Sequence, residues 1–120
     1  MASHRILVVD DDLLVRINTA ELLEEAGFEV IEALDAASAL AILEEESSID
    51  LVCTDVHMPG ELNGIDLAIQ VQIRHPTTKV IVLSGYSRRS DCPAQIPHLT
   101  KPFQSDRLVA LAREQLVAHV

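Results

Sequence analysis

Ile6-Leu7-Val8-Val9 forms an unbroken aliphatic run between Arg5 and Asp10, and a run of that kind suits a strand covered on both faces. Cover on both faces requires helices between the strands, and the rest of the chain supplies them. Apolar residues follow a helical period from Leu13 to Ala26, with Gly27 placed for a left-handed stop. Phe28 to Ala33 reads as a second strand. Asp35 caps a helix over Ala36 to Glu45, and Ile49 to Thr54 is a third strand that ends in Asp55. Asn63 or Gly64 opens a helix that closes before Pro76, and Lys79 to Leu83 runs as a fourth strand into Ser84-Gly85. Ile96 to Thr100 is a fifth, weaker strand. Ser105 caps a last helix from Asp106 to about Ala118, with Leu108, Leu111, Ala112 and Leu116 on its buried stripe. Strands and helices alternating at this spacing predict an α/β fold, a doubly wound parallel sheet of five strands.

The 120 residues amount to one domain, residues 1–120, with no repeat or linker. Nine Lys plus Arg against nineteen Asp plus Glu give a net charge of −10, which argues against direct nucleic-acid or anionic-membrane partners. Phe28, Phe103 and Tyr86 are the sole aromatics, so the core is aliphatic and no platform for stacking bases exists. Cys53 and Cys92 are too few for a disulfide framework or a zinc site, and Cys53 reads as an inert buried thiol. With no leader pattern, and no apolar run near the roughly 20 residues that cross a bilayer, a reduced, cytoplasmic protein without a membrane partner is expected.

In doubly wound sheets, groups that act on ligands gather beyond the carboxyl ends of the strands. Asp10 and Asp11 follow the first strand, Asp55 ends the third, Ser84 ends the fourth and Thr100-Lys101 ends the fifth. Converging carboxylates repel one another and stay ionised around a cation, and hard oxygen donors select Mg²⁺ or Mn²⁺. A lysine and a hydroxyl at the same edge suit the oxygens of a phosphoryl group. An aspartate beside them can act as nucleophile and form an acyl phosphate, and that role falls to Asp55.

Ile6-Leu7-Val8-Val9-Asp10-Asp11-Asp12, Asp55-Val56-His57-Met58-Pro59-Gly60 with Asn63-Gly64, Leu83-Ser84-Gly85 and Lys101-Pro102-Phe103 together resemble the receiver domain of bacterial two-component response regulators. The resemblance spans the whole chain and implies a flavodoxin-like (βα)5 fold and a phosphorylation-dependent signalling switch in a phosphorelay. By that resemblance Asp55 is the phosphoacceptor, and Asp10 and Asp11 are the acidic pair that holds Mg²⁺ together with Asp55. It further implies that His57 offers its backbone carbonyl to the metal, that Ser84 is the switch hydroxyl and that Lys101 pairs with the phosphoryl group. A cis Lys101-Pro102 bond is implied as well. The expected phosphodonor is a histidine kinase or histidine phosphotransfer protein docking on the first helix. There Val15, Thr19, Leu22 and Ala26 share one face, and Leu13, Ile17 and Ala20 form an apolar stripe nearly opposite. The catalysis implied is limited to the domain's own phosphorylation and dephosphorylation.

The sequence departs from the receiver pattern in three places. Asp55 to Gly64 spans nine residues, one more than the commonest loop. His98 stands three before Lys101, where receivers usually carry Tyr or Phe. Only 17 residues separate Ser84 from Lys101, and this stretch holds Ser87, Ser90, Pro93 and Pro97. A short or degenerate fourth helix is therefore expected, with a loop or at most a turn or two of helix over Gly85 to Gln95 that exposes Arg88 and Arg89. A phosphatase of the haloacid-dehalogenase type would use similar groups, but its nucleophile follows the first strand in an Asp-x-Asp pattern beneath a cap. This chain has neither cap nor length for a substrate pocket.

Overall fold

The computed structural model describes residues 4–46, 48–85 and 92–117. Among them the order is β1 (Arg5–Val9), α1 (Leu13–Glu25), β2 (Glu29–Ala33), α2 (Ala36–Glu45), β3 (Leu51–Asp55), α3 (Gly64–Arg74), β4 (Lys79–Ser84), β5 (His98–Thr100) and α4 (Ser105–Val117). All five strands pair in parallel in the order β2-β1-β3-β4-β5, the flavodoxin-like arrangement that the alternation implies. The order reverses between β1 and β3, which opens a crevice at their carboxyl ends.

Side-chain alternation along the strands divides the core in two. Leu7, Val9, Val52, Val80 and Val82 pack with Ala39 and Leu43 of α2 and Leu67, Ala68 and Val71 of α3. Ile6, Val8, Leu51, Cys53, Ile81, Leu83 and Leu99 point the other way, towards Leu23 of α1 and Leu108 and Ala112 of α4. Each central strand is thus apolar on both faces, the reason its sequence reads as a continuous aliphatic run.

The helix starts follow the capping residues. Asp12 accepts from the Val15 amide at 3.1 Å and Asp35 from the Ser38 amide at 2.8 Å. Asn63 and Asp66 form a reciprocal capping box, each side chain accepting from the other's backbone N–H. Several boundaries differ from the sequence expectation. β2 begins at Glu29, β3 at Leu51 and β5 at His98, because Phe28, Ile49 and Ile96 are used for packing and not for ladder pairing. α4 opens at Ser105 itself, so Ser105 lies in the first turn and not before it. Ala118 lies outside the described residues.

α1 requires a larger correction. The helix turns Thr19, Ala20 and Leu23 into the protein, so Ala20 does not belong to a water-facing stripe. Leu13 and Leu14 are the apolar residues left in water, 56% and 71% exposed, and Ile17 is half-buried. Of the connection between β4 and β5, residues 86–91 with Arg88 and Arg89 lie outside the described residues. Gly85 and the stretch 92–97 form bends and turns, and buried Cys92 and Ile96 anchor that stretch in the α2–α3 half of the core. No described helix is long and apolar enough to cross a membrane.

Candidate functional site

The alternation that sorts the core also places the site. Asp55 continues the parity of Leu51 and Cys53, Asp10 that of Ile6 and Val8, and Lys101 that of Leu99, so all three belong to the α1–α4 face at the carboxyl edge. Parallel register aligns the strand ends there: Asp55 lies opposite Leu83, and Ser84 opposite Thr100. The Lys101 amide donates to the Ser84 carbonyl at 2.6 Å, and the Lys101-Pro102 bond is cis.

From this position the Lys101 Nζ reaches back over the sheet, 3.1 Å from Asp55 Oδ1 and 3.4 Å from Asp10 Oδ2. Ligand oxygens of Asp10, Asp11 and Asp55 all lie within 4.8 Å of one another. Asp10 is buried, Asp55 half-buried and Asp11 exposed, so the cluster opens to solvent on the Asp11 side. Burial pushes the Asp10 carboxyl above the usual carboxylate range. The Asp12 amide, donating to Oδ1 at 2.9 Å, and the Lys101 charge oppose that shift, whereas the Asp55 charge adds to it. Three hard-oxygen donors so close together, with a single lysine shared between two of them, fit a divalent cation of the Mg²⁺ class.

Gly64 closes the far side of Asp55. Its amide donates to the Val56 carbonyl at 2.8 Å, and a Cβ built on it would overlap the Asp55 carbonyl oxygen. Only glycine allows α3 to start this close to the end of β3. Ser84 ends β4 and is fully buried, while His57 is exposed two residues past Asp55. His98 opens β5 and is half-buried. The sequence residues Asp10, Asp11, Asp55 and Lys101 thus share one cluster, with Ser84 and His57 on the strand end and loop beside it.

Two neighbours escaped the sequence reading. Arg16 of α1 donates from Nη1 to the Asp10 carbonyl oxygen at 2.9 Å and pairs through Nε with Glu32 of β2 at 3.0 Å. Its one signal was a lone cation inside the apolar stretch Leu13 to Ile17. The second is a groove of about 460 Å³ next to Lys101, where Val15, Thr19 and Leu22 of α1 face Pro102, Phe103 and Ser105. Cys53 is fully buried, with its thiol pushed up to about 12 by burial, which keeps it an unreactive core residue. Cys92 lies in the opposite half of the core.

The sequence model for the response regulator receiver domain matches residues 6–113. The response regulator receiver protein CpdR of Brucella abortus (strain 2308) is 34% identical over 119 residues, covering 95% of this chain and 98% of that protein. The sensor kinase CckA of the same organism is 34% identical over 120 residues, covering 95% of this chain, but the chain spans only 13% of that kinase's length. Among solved structures, the response regulator protein TrrA of Thermotoga maritima in complex with Mg²⁺-BeF is 31% identical with a TM-score of 0.86, covering 94% of this chain and 99% of that one.

Proposed function

The chain belongs to the response regulator receiver domain family, whose members are phosphorylation-dependent signalling switches of two-component systems, and we propose that in this member the phosphoryl group is carried on Asp55. The observation that carries the proposal is the shared reach of Lys101 to Asp55 and Asp10 across the ends of β5, β3 and β1. In this reading the whole chain, residues 1–120, is one receiver domain.

Asp10, Asp11 and Asp55, with the backbone carbonyl of His57, would hold Mg²⁺, which when bound neutralises phosphoryl oxygens during transfer. Mn²⁺ has the same donor preference. An Asp55 carboxylate oxygen attacks the phosphorus of a phosphohistidine donor; the new P–O bond forms as the P–N bond breaks, and the departing imidazole keeps the electron pair and takes up a proton. Lys101 stands where it can follow the charge from the carboxylate to the transferred phosphoryl group. The Ser84 hydroxyl then turns to the phosphoryl oxygens and passes the change to the β4–β5 connection. The chemistry the chain catalyses is its own phosphorylation and dephosphorylation.

Receiver domains take phosphoryl groups from histidine kinases or phosphotransfer proteins. Here the donor docks on the N-terminal turns of α1, where Leu13 and Leu14 stand in water and Val15 lines the groove shared with Phe103. Acetyl phosphate with Mg²⁺ tests the core of the proposal. Mass spectrometry should find one acyl phosphate at Asp55, absent from Asp55→Asn. Phosphate at another residue, or none under conditions where Mg²⁺ binds, would overturn it.

A further inference from the structure

Arg16 occupies the second turn of α1 with its side chain 15% exposed, and a guanidinium held that far from water needs acceptors for its donors. It has two, on different elements: the Asp10 carbonyl oxygen at 2.9 Å and the Glu32 carboxylate at 3.0 Å. The other polar atoms of Asp10 are served elsewhere. Its amide donates to the Ala33 carbonyl at 3.1 Å, Oδ1 accepts from the Asp12 amide at 2.9 Å, and Oδ2 lies 3.4 Å from the Lys101 ammonium. The carbonyl oxygen therefore depends on Arg16. That oxygen fixes the peptide plane joining Asp10 to Asp11, and so the direction in which the second carboxylate leaves the first.

We propose that Arg16, braced by Glu32, is a positioning residue for the Asp10–Asp11 pair: it locks the peptide between them so that both carboxylates converge on one cation. The inference rests on the reading of the acidic cluster as an Mg²⁺ site and concerns what shapes it. Arginine suits the task because its planar fork serves two acceptors in fixed directions, which an ammonium on a flexible stem does not. The charge of Arg16 works against the site, since a fixed cation near the carboxylates repels an incoming divalent ion. Positioning and charge thus act with opposite signs, and a measurement can separate them.

The experiment compares the full chain with Arg16→Gln, Glu32→Gln and the double variant. Mg²⁺ affinity is read by calorimetric titration at constant ionic strength, and hydrogen exchange of the Asp12 amide by NMR in EDTA. Arg16→Gln should weaken Mg²⁺ binding about tenfold, the usual scale for groups that orient metal ligands. The Asp12 amide should exchange faster even without metal. Glu32→Gln should weaken binding while Arg16 is present and have no further effect once Arg16 is Gln. Unchanged or tighter binding in Arg16→Gln overturns the proposal, as does a Glu32→Gln effect of equal size in both backgrounds, which would be charge alone. Should Arg16→Gln fail to fold, Arg16→Lys takes its place: weakened binding with the charge kept supports the fork, and affinity equal to that of the unaltered chain overturns it. If the unaltered chain takes up no Mg²⁺, the reading of the cluster fails, and the Asp12 amide decides the part of Arg16: exchange unchanged in the variant overturns the proposal.

Discussion

Lys101 and Asp55 are 46 residues apart in the chain, yet Nζ stands 3.1 Å from Oδ1. The ammonium supplies a neutralising positive charge at Asp55. Lys101→Met should therefore tighten Mg²⁺ binding several-fold, because a competing cation is gone. The same change should lower the rate of phosphoryl acceptance by on the order of 10²–10³, the usual loss when one stabilising charge is removed from a transition state. Calorimetry and acetyl-phosphate labelling on one preparation check the two halves. Weaker Mg²⁺ binding would mean that Lys101 organises the carboxylates and does not compete for them.

The raised pKa of Asp10 gives metal uptake a pH dependence. A carboxyl whose folded pKa lies above its unfolded value favours the protonated form in the fold. Its contribution to metal-free stability is fully present below the unfolded value and is lost as the pH rises through the folded one. Mg²⁺ needs the ionised form, so its affinity should fall on acidification over a range that begins above the ordinary carboxylate value, with proton release on binding. Calorimetry in buffers of different ionisation enthalpy counts those protons. In EDTA, Asp10→Asn should remove the corresponding part of the pH dependence of unfolding.

Gly64→Ala should destabilise the domain by roughly 1–3 kcal/mol, since its Cβ overlaps the Asp55 carbonyl and the start of α3 must shift. Phosphoryl acceptance should fall with it, because the displaced backbone carries Asp55. Gly85→Ala is the control: among the described residues nothing lies within 4 Å of the added Cβ, and urea unfolding should find it near neutral.

Leu14→Glu should slow phosphotransfer from a phosphohistidine partner while leaving acetyl-phosphate labelling unchanged, because Leu14 is 71% exposed and makes no part of the carboxylate cluster. A matched loss with both donors would place the effect in the fold and not in docking.

Asn63→Ala should cost about 1 kcal/mol, the usual value for a lost N-cap, because the Ile65 and Asp66 amides lose the Asn63 Oδ1 acceptor while the backbone N–H of residue 63 still donates to the Asp66 carboxylate. Denaturant titration in EDTA measures it apart from metal binding.

Much of this was legible in the sequence because the chemistry sits on the most regular part of the fold. Asp10, Asp55 and Lys101 stand at or just past the ends of strands buried on both faces, and such strands announce themselves as aliphatic runs. α1 was harder to read. Its apolar residues surround the helix instead of lining one side, so periodicity put Ala20 in water, whereas contact with the sheet selects Thr19, Ala20 and Leu23. Arg16 escaped because its partners are a backbone carbonyl and a residue sixteen positions later, and neither leaves a spacing signal. The edges of β3 and β5 were overestimated because Ile49 and Ile96 are apolar for packing alone.

The common parity of Asp10, Asp55 and Lys101 with the α1–α4 half of the core constrains which length changes the chain can survive. Removing one residue from Leu51–Cys53 would turn every later side chain of β3 to the opposite face, carrying Asp55 away from Lys101 and apolar side chains out of their packing at the same stroke. Loss of fold and loss of phosphoryl chemistry would arrive together, so such deletions cannot yield a folded but silent domain. The connection from Met58 to Leu62 lies beyond Asp55 and His57, and there the chain can lengthen or shorten while the carboxylates keep their places. Folded but silent variants must come instead from substitution, at the carboxylates or at Lys101.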